Sequence, residues 1–156
     1  MRARVIVASN RAAAGHYSDT SGPVLVAGLR DLGCEVDAEP VVVPDGPPVT
    51  EALRAAIADG VDVVLTSGGT GVTPTDRTPE ATRGLLDFEI PGIAEAVRAY
   101  SRDKVPAAAL SRGLAGVAGR TLIVNLPGST GGALDGLAVL GPILRHTVDQ
   151  LRGGDH

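Results

Sequence analysis

Rings are scarce in this chain of 156 residues: tryptophan is absent, and Tyr17, Phe88 and Tyr100 are the only aromatics. A core without rings must be assembled from Val, Leu, Ile and Ala, which suits strands covered by closely packed helices. The same scarcity argues against a single-strand nucleic-acid platform, where bases stack on aromatic side chains. Cysteine is scarce too. The lone Cys34 excludes an intrachain disulfide, a cysteine-based zinc site and an iron–sulfur cluster, and it fits a reducing, cytoplasmic setting. No excess of positive charge exists: 14 basic against 18 acidic residues leave a net charge of −4. No global positive field therefore draws in nucleic acid or an anionic membrane surface. Lys104 is the sole lysine. The apolar run Val5 to Ala8, preceded by Arg2 and Arg4, is too brief for a signal segment or a membrane span.

What is present is glycine, 21 residues of it, and a hydrophobic fraction of 44%, ample for one core. Strand-like and helix-like segments alternate, which predicts an α/β fold with a largely parallel sheet. Strands are expected at Val5–Ala8, Glu35–Val43, Val61–Thr66, Leu110–Val117 and Thr121–Leu126, the last two joined as a hairpin at Ala118-Gly119. A polar loop is expected from Ser9 to Ser21. Helices are expected from Pro23 to Gly33, with Leu25, Leu29 and Leu32 on one face, and from Thr50, as N-cap, to Asp59. Thr78-Pro79-Glu80 reads as a helix start, with a cap, a first-position proline and an acid in the first turn. Pro91–Ser101 places Ile93, Ala96, Val97 and Tyr100 on a stripe, and Thr130–Leu151 is expected to break or kink at Gly141-Pro142. Residues 1–152 read as a single domain and 153–156 as a flexible tail.

In open α/β sheets ligands bind beyond the carboxyl ends of the strands. Four such ends carry unusual loops here: Ser9-Asn10, Pro44-Asp45, Ser67-Gly68-Gly69-Thr70-Gly71 and Pro127-Gly128-Ser129. Glycines let backbone N–H groups converge on an anion, and Thr70 adds a hydroxyl; the plainer reading is a tight strand-to-helix turn. The Pro127–Ser129 loop resembles a second anion cradle facing a helix N-terminus, or else Ser129 or Thr130 simply caps that helix. The chain has no Gly-Lys-[Ser/Thr] loop, no G-x-G-x-x-G, no G-x-S-x-G and no H-E-x-x-H. An ordinary P-loop hydrolase, a Rossmann dehydrogenase, a serine hydrolase and a zincin are all disfavoured.

An acidic chain that binds phosphates without a P-loop lysine needs another counter-charge, and Mg²⁺ held by one or two carboxylates is the obvious agent. Asp45 and Asp76 are the candidates; the first is equally a Pro-Asp-Gly turn residue and the second a loop cap. Arg77, Arg83 and Arg112 are available as phosphate contacts or as solvated surface. His16 and His146 have no metal-ligand spacing, and Cys34 reads as packing. Alanine at Gly68, Gly69, Gly71 or Gly128 is expected to harm ligand binding more than folding.

Taken together, Leu65-Thr66-Ser67-Gly68-Gly69-Thr70-Gly71 and Asp76-Arg77-Thr78-Pro79-Glu80-Ala81-Thr82 resemble the signature of the Mog/MoaB molybdenum-cofactor biosynthesis family, whose fold also forms the gephyrin G domain. Asp19-Thr20-Ser21-Gly22-Pro23, Leu110-Ser111-Arg112 and Asn125-Leu126-Pro127-Gly128-Ser129 match in the same order, so the resemblance spans about Val5 to Leu151. It implies a three-layer α/β sandwich with a mostly parallel, mixed central sheet, usually a homotrimer, that binds molybdopterin. In the Mog branch it implies Mg²⁺-dependent transfer of AMP from ATP to the terminal phosphate of molybdopterin, with hand-over of the product to a molybdenum insertase. A non-catalytic, MoaB-type molybdopterin-binding scaffold is the alternative. By the same resemblance, Asp45 and Asp76 match the acidic pair tied to Mg²⁺ and catalysis, and Ser67 to Gly71 the glycine loop at the active site. Ser111, Asn125 and Pro127 to Ser129 match segments that contact nucleotide or pterin phosphate. Many relatives read Ser-Asp where this chain has Ser9-Asn10, so one charge is missing.

Overall fold

The apolar runs pair into one mixed sheet whose centre is a strand buried on both faces. The computed structural model describes residues 1–156. Strand β1 (Arg2–Ala8) lies parallel to β4 (Val63–Ser67), and β4 lies parallel to β7 (Thr121–Leu126). On its other side β1 takes two short parallel strands, β2 (Glu35–Val36) at its beginning and β3 (Val41–Val43) at its end. Beyond β7 the direction reverses: β6 (Ala115–Ala118) and β5 (Phe88–Glu89) complete the sheet as antiparallel strands. The expected hairpin at Ala118-Gly119 is the β6–β7 connection.

The strand period of two sorts the core into two layers. Val5 and Val7 of β1 and Leu65 of β4 face a larger cluster. It is closed by Leu25 and Leu29 of α2 (Ser21–Asp31), Ile93 and Val97 of α5 (Pro91–Arg102), and Leu140 and Leu144 of α6 (Thr130–Leu151). Ile6, Val64 and Ile123 face the other way, against Val49, Leu53 and Ala56 of α3 (Pro47–Ala58). The short helices α1 (Asn10–Ala13) and α4 (Thr78–Arg83) stand at the carboxyl edge of the sheet. This is the three-layer α/β sandwich with a mostly parallel sheet. No helix is long and apolar enough to cross a membrane.

Several boundaries differ from expectation, each for a local reason. The strand Glu35–Val43 is interrupted over residues 37–40, where Pro40 has no amide to donate, so its two parts pair with opposite ends of β1. Between Ser9 and Ser21 the chain makes α1, because the Ser9 hydroxyl accepts the Ala12 amide at 3.1 Å. Helix α3 begins at Pro47 rather than after Thr50. Gly46 turns the chain at φ +93°, and prolines at the first two positions need no acceptors. Thr50 instead donates to the Ala81 carbonyl at 2.9 Å, fastening α3 to α4. On α5 the inward stripe is Ile93, Ala94, Val97 and Ser101, leaving Ala96 and Tyr100 exposed. Leu110 closes a 3-10 turn, Pro106–Leu110, and does not start a strand. Helix α6 runs through Pro142 unbroken.

Candidate functional site

All four loops singled out in the sequence lie at the carboxyl ends of β1, β3, β4 and β7, because those strands run parallel. The glycine loop leaves β4 through Gly68, at φ +95°, and Gly69, at φ +67°, backbone states that favour glycine. Gly68 packs so closely on the Ala8 carbonyl, and Gly69 on the Asp45 carboxylate and Thr78 hydroxyl, that neither has room for a Cβ. Its return is secured by the Thr78 amide donating to the Gly69 carbonyl at 3.1 Å.

Asp45 is held on every side. Its Oδ1 accepts from the Gly46 amide at 2.7 Å and the Thr78 hydroxyl at 3.1 Å, and its Oδ2 accepts from the Arg77 amide at 3.1 Å. The Asp45 amide donates to the Asn10 side-chain oxygen at 3.0 Å. Asn10, the position where an acid was missing, therefore supports Asp45 through hydrogen bonding rather than charge. Asp76 Oδ2 accepts from the Thr73 amide at 3.0 Å and would lie 2.8 Å from a Cβ at Gly71. The two carboxylates thus abut the same glycine loop, at Gly69 and at Gly71, while each also serves the turn role expected of it.

Beside the loop opens a cleft of about 470 Å³. Thr70, Gly71 and Asp76 line it from the glycine loop, and Ser111, Pro127 and Ser129 from elsewhere on the carboxyl edge. Gly131 and Gly132, in the first turn of α6, also line it. The Ser129 hydroxyl accepts the Gly132 amide at 3.0 Å, the N-cap reading, and the amides of Thr130 and Gly131 have no acceptor in the protein. The remaining expected residues are placed differently. Asp45 is not among the cleft residues. Ser67 is fully buried, its hydroxyl bonded to that of Ser21 at 2.7 Å and to the Pro127 carbonyl at 3.2 Å. Asn125 is an interior clamp: it accepts from the Leu114 amide at 3.3 Å and donates to the hydroxyls of Thr66 at 3.0 Å and Thr82 at 3.1 Å. Gly128 packs against Gly68, where a Cβ would stand 3.2 Å from the Gly68 Cα.

Among the cleft residues that escaped the sequence reading, three form one bonded cluster. Lys104, the sole lysine, lines the cleft with Asp135 and Ser101. Asp135 accepts from the Lys104 ammonium at 2.6 Å and from the Ser101 hydroxyl at 2.8 Å. Those bonds, led by that of Lys104, hold the Asp135 carboxyl below the usual carboxylate range; the ammonium is raised in turn, chiefly by its bond to Asp135. The Tyr100 ring lies under the ammonium at 4.7 Å. The available signal was Ser101 continuing the buried stripe of α5 with Lys104 three residues on, but only the α5–α6 packing shows what they face.

Arg77 and Arg83 remain at the surface. Arg112 is exposed too, but it is bonded to the backbone of the glycine loop and to Glu80. His16 and His146 are exposed, and Cys34 is buried, with its thiol pushed up mainly by burial.

The donor set can be tested against a metal. No three of His, Cys, Asp and Glu converge, so the chain builds no protein cage for an ion. One carboxylate lining the cleft, Asp76, and a second, Asp45, against the same glycine loop fit a hard cation such as Mg²⁺, which takes its other ligands from water and phosphate.

Residues 4–146 match the family model described as a probable molybdopterin binding domain. The chain is 37% identical to the molybdenum cofactor biosynthesis bifunctional protein of Chlorobaculum tepidum, over 99% of its own length and 50% of that protein's. It is 40% identical to the molybdopterin adenylyltransferase of Haemophilus influenzae, covering 80% of this chain and 64% of that one. Among solved structures, the molybdopterin biosynthesis Mog protein of Mycobacterium ulcerans superposes with a TM-score of 0.91 at 52% identity, over 96% of this chain and 98% of that one. The chain thus spans about half the length of the bifunctional relative and nearly all of the Mog protein.

Proposed function

The chain belongs to the family of the probable molybdopterin binding domain, and from that membership we propose that it acts in molybdenum cofactor biosynthesis as a molybdopterin adenylyltransferase. In this reading a terminal phosphate oxygen of molybdopterin attacks the α-phosphorus of ATP. The bond from that phosphorus to the bridging oxygen breaks, and pyrophosphate leaves. A phosphate nucleophile is already ionised at neutral pH, so no general base is required, in keeping with exposed His16 and His146. The task left to the protein is to hold two anions in line. Thr70 and Gly71 line the cleft together with Gly131, whose amide is free at the positive end of α6, where an anion is favoured. Lys104 adds the one ammonium. Asp45 and Asp76 are the residues to hold Mg²⁺, which would neutralise phosphate charge when bound. Homotrimer formation, a cytoplasmic setting and hand-over of the product to a molybdenum insertase belong to the same proposal.

The observation that carries this reading is the shared cleft, where a carboxylate, a glycine loop and a helix N-terminus meet around about 470 Å³. Pyrophosphate release from ATP, Mg²⁺ and molybdopterin tests it. The wild type should turn over, and Asp45→Asn and Asp76→Asn should each lose about a hundredfold or more of kcat/KM, the scale seen when a charge-stabilising group is removed. Molybdopterin binding without pyrophosphate release in the wild type would point to the scaffold instead.

A further inference from the structure

The segment from Gly71 to Asp76 has a peculiarity of attachment. Its internal bonds run from the Asp76 amide to the Thr73 carbonyl at 3.1 Å, from the Thr73 amide to Asp76 Oδ2 at 3.0 Å, and between the Thr73 and Thr75 hydroxyls at 3.3 Å. Every hydrogen bond that leaves the segment ends on one side chain. Arg112 donates from Nε to the Gly71 carbonyl at 2.8 Å and from Nη2 to the Asp76 carbonyl at 2.8 Å. Its own amide donates to the Thr70 carbonyl at 2.7 Å, and its Nη1 pairs with Glu80 on α4. The intervening residues, Val72 to Thr75, are exposed and bury nothing that would hold them in place.

We propose that Arg112 is the positioning residue of the candidate site: it clamps both ends of the 71–76 loop and so sets where the Asp76 carboxylate stands. The role needs a guanidinium. Two carbonyls and a carboxylate are reached at once by a planar fork of five N–H donors, whereas an ammonium is a single compact point. It also explains why so large a positive charge is tolerated beside a carboxylate meant for a cation. Glu80 neutralises it, and the guanidinium in turn holds the Glu80 carboxyl below the usual carboxylate range. Arg112 stands next to Ser111, so the clamp joins two walls of the cleft, the glycine loop and the segment before β6. Three of its five N–H donors are engaged in this way, on the loop and on Glu80.

The consequence for Asp76 rests on the proposed Mg²⁺-dependent reaction, but the clamp itself does not, and one set of variants separates the two. In Arg112→Gln, amide hydrogen exchange at Thr73 and Asp76 should accelerate while amides of β4 and β7 keep their protection. The Mg²⁺ concentration for half-maximal pyrophosphate release should rise about tenfold or more, as for other groups that orient a metal ligand, and a smaller folded fraction cannot produce that shift. Arg112→Lys should restore the charge without restoring either property. Unchanged exchange at Thr73 and Asp76 would overturn the clamp, as would a uniform rise across β4 and β7 or full rescue by lysine. A loosened loop with an unmoved Mg²⁺ midpoint would overturn the link to Asp76. No pyrophosphate release by the wild type would overturn the proposed reaction and with it the link to Asp76, leaving the clamp to stand or fall on the exchange data.

Discussion

At the scale of single residues, the glycines divide by what surrounds them. Gly68 and Gly69 combine left-handed backbone with no room for a Cβ, whereas Gly71 and Gly128 have neither a positive φ nor so close a neighbour. Gly69→Ala should therefore destabilise the fold by about 1–3 kcal/mol, the usual cost of a non-glycine residue in such a conformation. A urea melt of the ligand-free protein checks this, and an unmoved midpoint would contradict it. The sequence-based expectation that alanine harms binding more than folding survives as a proposal for Gly71 and Gly128; at Gly68 and Gly69 the structure adds a folding cost. Residue type alone identified the loop. Which of its glycines have no room for a Cβ in a left-handed backbone depended on the positions of Ala8, Asp45 and Thr78, outside the loop.

Among the elements, the long buried strands were legible because burial on both faces writes a continuous apolar run, as in Val63–Leu65 and Leu122–Val124. The edge was not. β5 has two residues, and its Phe88 side chain is exposed, so no periodicity marks it. Its existence depends on Gly116 of β6, where a Cβ would stand 2.5 Å from the Phe88 carbonyl oxygen and 2.6 Å from Leu86. Gly116→Val should push β5 away, at a cost of about 1–3 kcal/mol for overpacking. Faster exchange of the Asp87 and Ile90 amides, which donate to Val117 at 2.7 Å and Ala115 at 2.8 Å, would report it. Retention of both amides' protection would show that the edge strand is held by something else. The shifted stripe of α5 has a similar origin. Tyr100 and Ser101 compete for one inward position, and the hydroxyl wins because Asp135 of α6 waits there to accept it.

For the molecule as a whole, one carboxylate joins beginning and end. Asp62, just before β4, accepts from the Arg2 amide at 2.8 Å and from the Arg152 guanidinium at 2.8 and 3.2 Å. Burial raises the Asp62 pKa, but the Arg2 amide and Arg152 together outweigh it, and the net shift is downward. A folded-state pKa below the unfolded value means stability that is complete above the unfolded value. It is lost as pH falls through the folded one, below about pH 4. Asp62→Asn should therefore lower stability at neutral pH by about 1–2 kcal/mol and flatten its decline in acid. Denaturant titrations from neutral to acidic pH test this; an unchanged acid slope would assign the loss to other carboxylates.

The sequence by itself determined the α/β class, the order of the main elements, the four loops at one edge and the family. These follow from local chemistry: apolar runs, proline and glycine punctuation, and residues that must be adjacent to form a loop. Only the tertiary structure decided that Arg112 is bonded to the glycine loop and to Glu80. It alone showed that Asn125 is an interior clamp, that Asn10 and Thr78 secure Asp45, and that Lys104 stands in the cleft beside Asp135. The physical reason is common to all four. A polar side chain's role is set by the donor or acceptor it meets, and here those partners come from elements dozens of residues away, brought close by sheet pairing and helix packing.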